Sequence, residues 1–198
     1  MKFFKENSYD IVKLLINQLG IAIFAFMLYV TASLIENSSV NQPLRVCISV
    51  FSILFYYALI YSATGDIGAK DRIKIDGGKY KPTPFKGGLM ATFANLPNFL
   101  VVGIAIICKM IHYFGGAEGF NLVFGILNAL FRFFMSMYLG AIGGIFSFVT
   151  DENLGFLLES VGYFLFPIIA IAVCQLGYYL GTREWRFSNL LSSDKSKP

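Results

Sequence analysis

Four long apolar stretches, separated by short polar ones, organise this chain. Residues 11–35, 44–63, 89–111 and 156–180 are each predominantly apolar over about 20 positions or more. That is the length an α-helix needs to cross a hydrocarbon core of ~30 Å at 1.5 Å per residue. Backbone polar groups find no water at that depth, so the stretches are expected to be helical. The pattern predicts an all-α polytopic membrane protein, a bundle with four transmembrane spans in a single membrane domain over 1–198.

The polar segments refine the picture. Residues 36–43 make a short turn between the first two spans, and 112–121 a glycine-rich connection after the third. The one substantial hydrophilic segment is the loop 64–88. Within it, Arg72-Ile73-Lys74-Ile75 and Lys79-Tyr80-Lys81 alternate around Asp76-Gly77-Gly78, a pattern that predicts a small β-hairpin over 72–81 with glycine in the turn. The third span carries Asn95-Leu96-Pro97-Asn98. Proline removes a backbone donor there and frees a carbonyl one turn back. Asn95, Pro97 and Asn98 are therefore candidates to line a polar cavity, or to bond between helices as membrane bundles commonly do. Asn17 and Gln18 lie in the first third of the first span, its cytoplasmic end on the charge map below.

Charge placement sets the expected orientation. The chain of 198 residues is 56% hydrophobic and only 14% charged, against about 25% charge in soluble domains. Most of its 16 basic residues fall in three places: before the first span, in the central loop and after the last span. By the positive-inside rule the N-terminus, the 64–88 loop and the 181–198 tail are cytoplasmic. Asp66, Asp71 and Asp76 interrupt the basic loop, which favours a solvated, topology-setting role over nucleic-acid binding.

A fifth apolar stretch, 120–149, conflicts with that map. Arg132 stands near its middle. A guanidinium stays charged, and at mid-bilayer it costs at least about 2.5–3.5 kcal/mol. A single crossing would make five spans, place the basic tail outside and bring the acidic 150–153 turn inside. The stretch is best read as a re-entrant or interfacial helical element, with five or six spans as the alternatives. Glu159, near the start of the last span, is the candidate partner for Arg132.

No recognisable catalytic constellation accompanies these elements. Gly65-Asp66-Ile67-Gly68-Ala69-Lys70-Asp71 lacks the spacing and hydroxyl residue of a phosphate loop. Cys47, Cys108 and Cys174 are isolated, and a lone His112 makes no metal site. Neither an enzymatic activity nor a metal or other cofactor is expected. Gly140–Gly144 and Gly177–Gly181 show the small-xxx-small spacing of close helix contacts, which also admits a homo-oligomer.

The run from Gly65 to Gly78, the Ala94–Asn98 segment, Met137-Tyr138-Leu139-Gly140 and Gly177-Tyr178-Tyr179-Leu180-Gly181 resemble a group of small polytopic membrane proteins of clostridia-type bacteria. That resemblance implies a bacterial plasma membrane and carries no function with it.

Three roles are consistent with these features. The first is a small transporter subunit or solute-passing bundle using Asn95, Pro97, Asn98, Arg132 and Glu159. The second is a scaffold that docks a cytoplasmic protein or the anionic leaflet through Lys70, Arg72, Lys74, Lys79, Tyr80 and Lys81. The third, the substrate-binding component of a vitamin-type importer, requires six spans.

Overall fold

The computed structural model describes residues 2–35, 37–78, 83–115, 125–126, 129–130, 132–146 and 152–183. Among them the elements are α1 (Lys2–Ser33), α2 (Ser38–Asp76), α3 (Lys86–Gly115), α4 (Ser136–Ile145) and α5 (Glu152–Thr182). Four helices, α1, α2, α3 and α5, are long and apolar enough to cross a membrane. α4 has only 10 residues, about 15 Å of helix, or half a hydrocarbon core. The protein is an all-α polytopic membrane bundle. Large apolar side chains such as Met27, Leu54 and Val161 stand exposed along the spans, as lipid-facing positions must.

The expected hairpin does not form. Arg72–Asp76 continues α2, the described residues hold no strand, and Lys79, Tyr80 and Lys81 lie outside them. Two short alternating runs suggested period 2, but the buried positions Thr64, Ile67, Gly68 and Asp71 follow the helical spacing i, i+3, i+4, i+7. Charges within the segment support the helix, with Arg72 Nε 3.5 Å from Asp76 and Lys74 Nζ 3.6 Å from Asp71. The Asp-Gly-Gly sequence ends the helix instead of turning a hairpin. The Gly77 N–H bonds the Ile73 carbonyl, and Gly78 adopts φ +68°, a conformation glycine reaches without steric cost. The hydrophilic loop expected over 64–88 is therefore largely the continuation of α2 and the start of α3.

Nor does Pro97 break its helix. α3 runs through it without interruption, with Pro97 exposed and Asn95 and Asn98 buried on the inner face. The Asn98 Nδ2 donates to Asn95 Oδ1 at 3.2 Å, so the two amides partly satisfy each other along one side of the helix.

Contacts divide the chain into two units, each assembled from separated segments. One comprises Met1–Leu14, Tyr57–Ala94 and Ile169–Pro198. Its core includes Leu14, Ile60, Met90, Ala94 and Tyr178. Glycines bring α2 and α5 together there: a Cβ on Gly181 would fall on the Gly65 carbonyl, and one on Gly177 on the Thr64 hydroxyl. The other unit comprises Leu15–Tyr56 and Asn95–Ile168. Ala22, Val102, Met135, Tyr138 and Ile142 are buried in its core, and the Tyr138 ring stacks on Phe166 with centroids 4.8 Å apart.

Gly181→Val should lower stability by about 1–3 kcal/mol or more, the usual cost of forcing bulk into a packed contact. Gly103→Ala, whose Cβ would meet nothing within 4 Å, should leave stability unchanged or raise it slightly. Thermal unfolding of the two variants in the same detergent separates these outcomes.

Candidate functional site

The short connection between α1 and α2 makes the two helices antiparallel neighbours and sets the end of one beside the start of the other. Asn37 organises the entry to α2. Its side-chain oxygen accepts the Ser39 N–H at 3.0 Å and its carbonyl accepts the Asn41 N–H at 2.9 Å, the usual device for satisfying a helix's first donors. Asn41 in turn bonds back to the Ile35 carbonyl at 2.9 Å. With the turn fixed, Tyr29 near the end of α1 meets Arg45 near the start of α2. The guanidinium lies 5.0 Å from the Tyr29 ring centroid, and its Nη1 donates to the Tyr29 hydroxyl at 3.5 Å. That combines a cation–π contact with a long hydrogen bond.

α4 supplies the opposite wall. Its Gly140 approaches α2 so closely that a Cβ would fall on the Arg45 carbonyl, and the Gly140 N–H donates to the Ser49 hydroxyl at 2.8 Å. Gly144 lies against the Val46 side chain. Between these walls is a cavity of about 410 Å³, within the range of small-molecule sites. Tyr29, Asn41, Gln42 and Arg45 provide its polar wall, and Leu139 with three glycines of α4 faces them. None of the described residues that line it is acidic. The Arg45 Nε is buried and has no hydrogen-bond acceptor among the described residues. The site is cationic and one-sided.

The residues singled out in the sequence lie elsewhere. None of Asn95, Pro97, Asn98, Arg132 and Glu159 lines the Arg45 cavity. Arg132 is exposed on a short helical segment at 132–134, and Glu159 is half-buried on α5. Both act electrostatically on the buried Tyr163 hydroxyl, so the two charges share a neighbourhood. Lys70 and Lys74 are exposed on the last turns of α2, beside Ile73 at 73% exposure. In the sequence Arg45 is simply a basic residue at the edge of the second span. Its pairing with Tyr29 across a four-residue turn, opposite a glycine-rich apolar run, is the signal that marks it.

A second buried polar cluster belongs to the other unit. Asp71 Oδ2 accepts the Lys86 ammonium at 2.6 Å and the Tyr178 hydroxyl at 3.1 Å, while Oδ1 faces Lys74 at 3.6 Å. Both Asp71 and Lys86 are almost fully buried. Beside them Gln175 accepts the Gly88 N–H at 2.8 Å and donates to the Pro84 carbonyl at 2.7 Å, securing the start of α3 against α5. Both carboxylate oxygens face a partner, so the cluster ties three helices together.

No protein-family model, curated protein or solved structure matches this chain. The functional reading therefore rests on the geometry of the sites themselves.

Removing one member of the Asp71–Lys86 pair leaves the other buried and uncompensated, at a cost of about 3–5 kcal/mol. Asp71→Leu and Lys86→Leu should each destabilise the protein strongly, whereas the double variant should recover a large part of the loss. A double-mutant cycle on unfolding in detergent tests this; simple additivity would contradict the ion-pair account.

Proposed function

We propose that the protein is a non-catalytic, solute-handling bundle of a bacterial plasma membrane, and that it takes a small anionic solute into the Arg45 cavity. The observation that carries this reading is the buried Arg45 Nε, which has no acceptor among the described residues, beside a cavity whose described lining holds no acidic side chain. A buried unsatisfied donor costs about 1–3 kcal/mol, more when charged, and an entering oxyanion relieves that cost. The apolar wall from Leu139 and the α4 glycines suits a ligand with a charged head and a compact apolar body. The basic residues flanking the spans support an orientation with both termini cytoplasmic, which turns the α1–α2 connection and its cavity outward.

Benzenesulfonate, a permanently charged anion on an apolar ring, is a suitable probe, with neutral benzenesulfonamide as its matched control. Calorimetric titration of the protein in nanodiscs should show the sulfonate binding at least about tenfold more tightly than the amide. Arg45→Gln should abolish that preference, since a charge-assisted hydrogen bond contributes about 1.5–3 kcal/mol. Equal affinities in the parent protein would contradict the reading.

A second reading draws support from the far end of α2. Lys70, Ile73 and Lys74 are exposed at i, i+3 and i+4, and Phe85 is 69% exposed in the same unit. This mixed surface suits the anionic lipid leaflet, where each lysine contributes about 1 kcal/mol. Lys70→Gln with Lys74→Gln should reduce the enrichment of phosphatidylglycerol over phosphatidylcholine that co-purifies with the protein. Unchanged enrichment would leave the surface as a solvated helix end.

A further inference from the structure

The polar character of the Arg45 cavity continues inward along the helices that build it. On α2, Ser49 stands one turn in from Arg45 and receives the Gly140 N–H at 2.8 Å. On α4, Ser136 stands one turn before Gly140 and donates its hydroxyl to the Ala22 carbonyl at 2.5 Å. On α1, Gln18 stands one turn before Ala22; it is only 4% exposed, and its Nε2 has no acceptor among the described residues. From Tyr29 at the cavity to Gln18 is eleven residues of continuous helix, or about 16 Å along the axis. Arg45 and Gln18 thus hold buried N–H donors without acceptors at the two ends of a seam, and the hydroxyls of Ser49 and Ser136 lie between them.

A membrane interior seldom keeps such a series without use, because each unsatisfied donor costs free energy in hydrocarbon. Donors at both ends select for a species that brings acceptors. The element closing the seam is also the least firmly built. α4 has no side-chain cap at its start and only a backbone bond at its end. Three of its ten residues are glycine, each about 1 kcal/mol less favourable than alanine in a helix.

We propose that this seam is the inward route of the anion taken up at Arg45, with the Gln18 amide as its inner binding station and α4 as the element that moves to open it. The inference rests on the cavity reading above and extends it from binding to passage. The route is closed in the present structure, where Ser49, Ser136 and Gln18 are all buried. Opening requires breaking the Ser136–Ala22 and Gly140–Ser49 hydrogen bonds, and no helix need unfold.

Cysteine accessibility in nanodiscs tests the route, in a background with Cys47, Cys108 and Cys174 replaced by alanine. Gln18→Cys should react with the anionic reagent 2-sulfonatoethyl methanethiosulfonate at least about tenfold faster than Ile16→Cys, two residues away on the outward face at 59% exposure. Arg45→Gln should slow that reaction severalfold while leaving the cationic trimethylammonium reagent unaffected. Ser136→Cys gives the same readout one level higher should Gln18→Cys fail to fold. If both positions react no faster than Ile16→Cys, the route is overturned. Benzenesulfonate binding that survives such a result would overturn passage alone and leave the cavity reading standing; loss of both would remove both.

Discussion

The close approach of Gly140 to the Arg45 carbonyl is the contact on which the candidate site depends. Any larger residue would push α4 away from α2, and the Gly140–Ser49 hydrogen bond would be lost with it. Without that wall, Arg45 and Tyr29 would be a cation–π pair at the membrane edge and nothing more. With it, the guanidinium is half-enclosed, and its Nε is removed from solvent with no acceptor among the described residues. A residue whose ordinary role at a helix end is to meet headgroups or water is thereby held in an enclosed setting.

The two buried polar clusters illustrate how saturation separates structure from function. Asp71 has partners on both oxygens, drawn from α2, α3 and α5. A charge so fully matched fixes helix positions and holds nothing in reserve for a ligand. Arg45 and Gln18 each keep a buried donor with no acceptor among the described residues. In a bilayer, where an unmet polar group is costly, that difference distinguishes a clamp from a site. Tyr29 stabilises the Arg45 charge through its ring face, an interaction that orients the cation without neutralising it, so the attraction for an anion persists.

Much of the fold was legible because the bilayer imposes a length and a composition on anything that crosses it. All four apolar stretches became membrane-length helices, and the 120–149 stretch yielded only a short one among its described residues. The segment after residue 63 misled for a definite reason. Charged residues at a span's end look like a loop when counted by hydropathy, yet Asp71 is buried by partners that lie 15 and 107 positions away. Periodicity over five residues was too short to reveal that partnership. The site was less legible still. Arg132 drew attention because its neighbours in sequence are apolar, whereas Arg45 matters because of Gly140, 95 positions further along the chain. Spacing along the chain identifies charges that are costly; only the close approach of distant glycines shows which of them is enclosed.

Gln18 shows what the sequence and the structure contribute jointly. An amide in the first span is visible in the sequence, and model studies of membrane helices lead one to expect it to bond across to a neighbour. In the structure the Ser136 hydroxyl of α4 donates to the Ala22 carbonyl, one turn further along α1, and the Gln18 Nε2 has no acceptor among the described residues. The serine spends its proton on a backbone carbonyl that already belongs to a helical ladder, a bond readily given up. Among the described residues the amide therefore adds no bond to the packing of α1, and the proposed route gives it one, to an acceptor carried by the ligand.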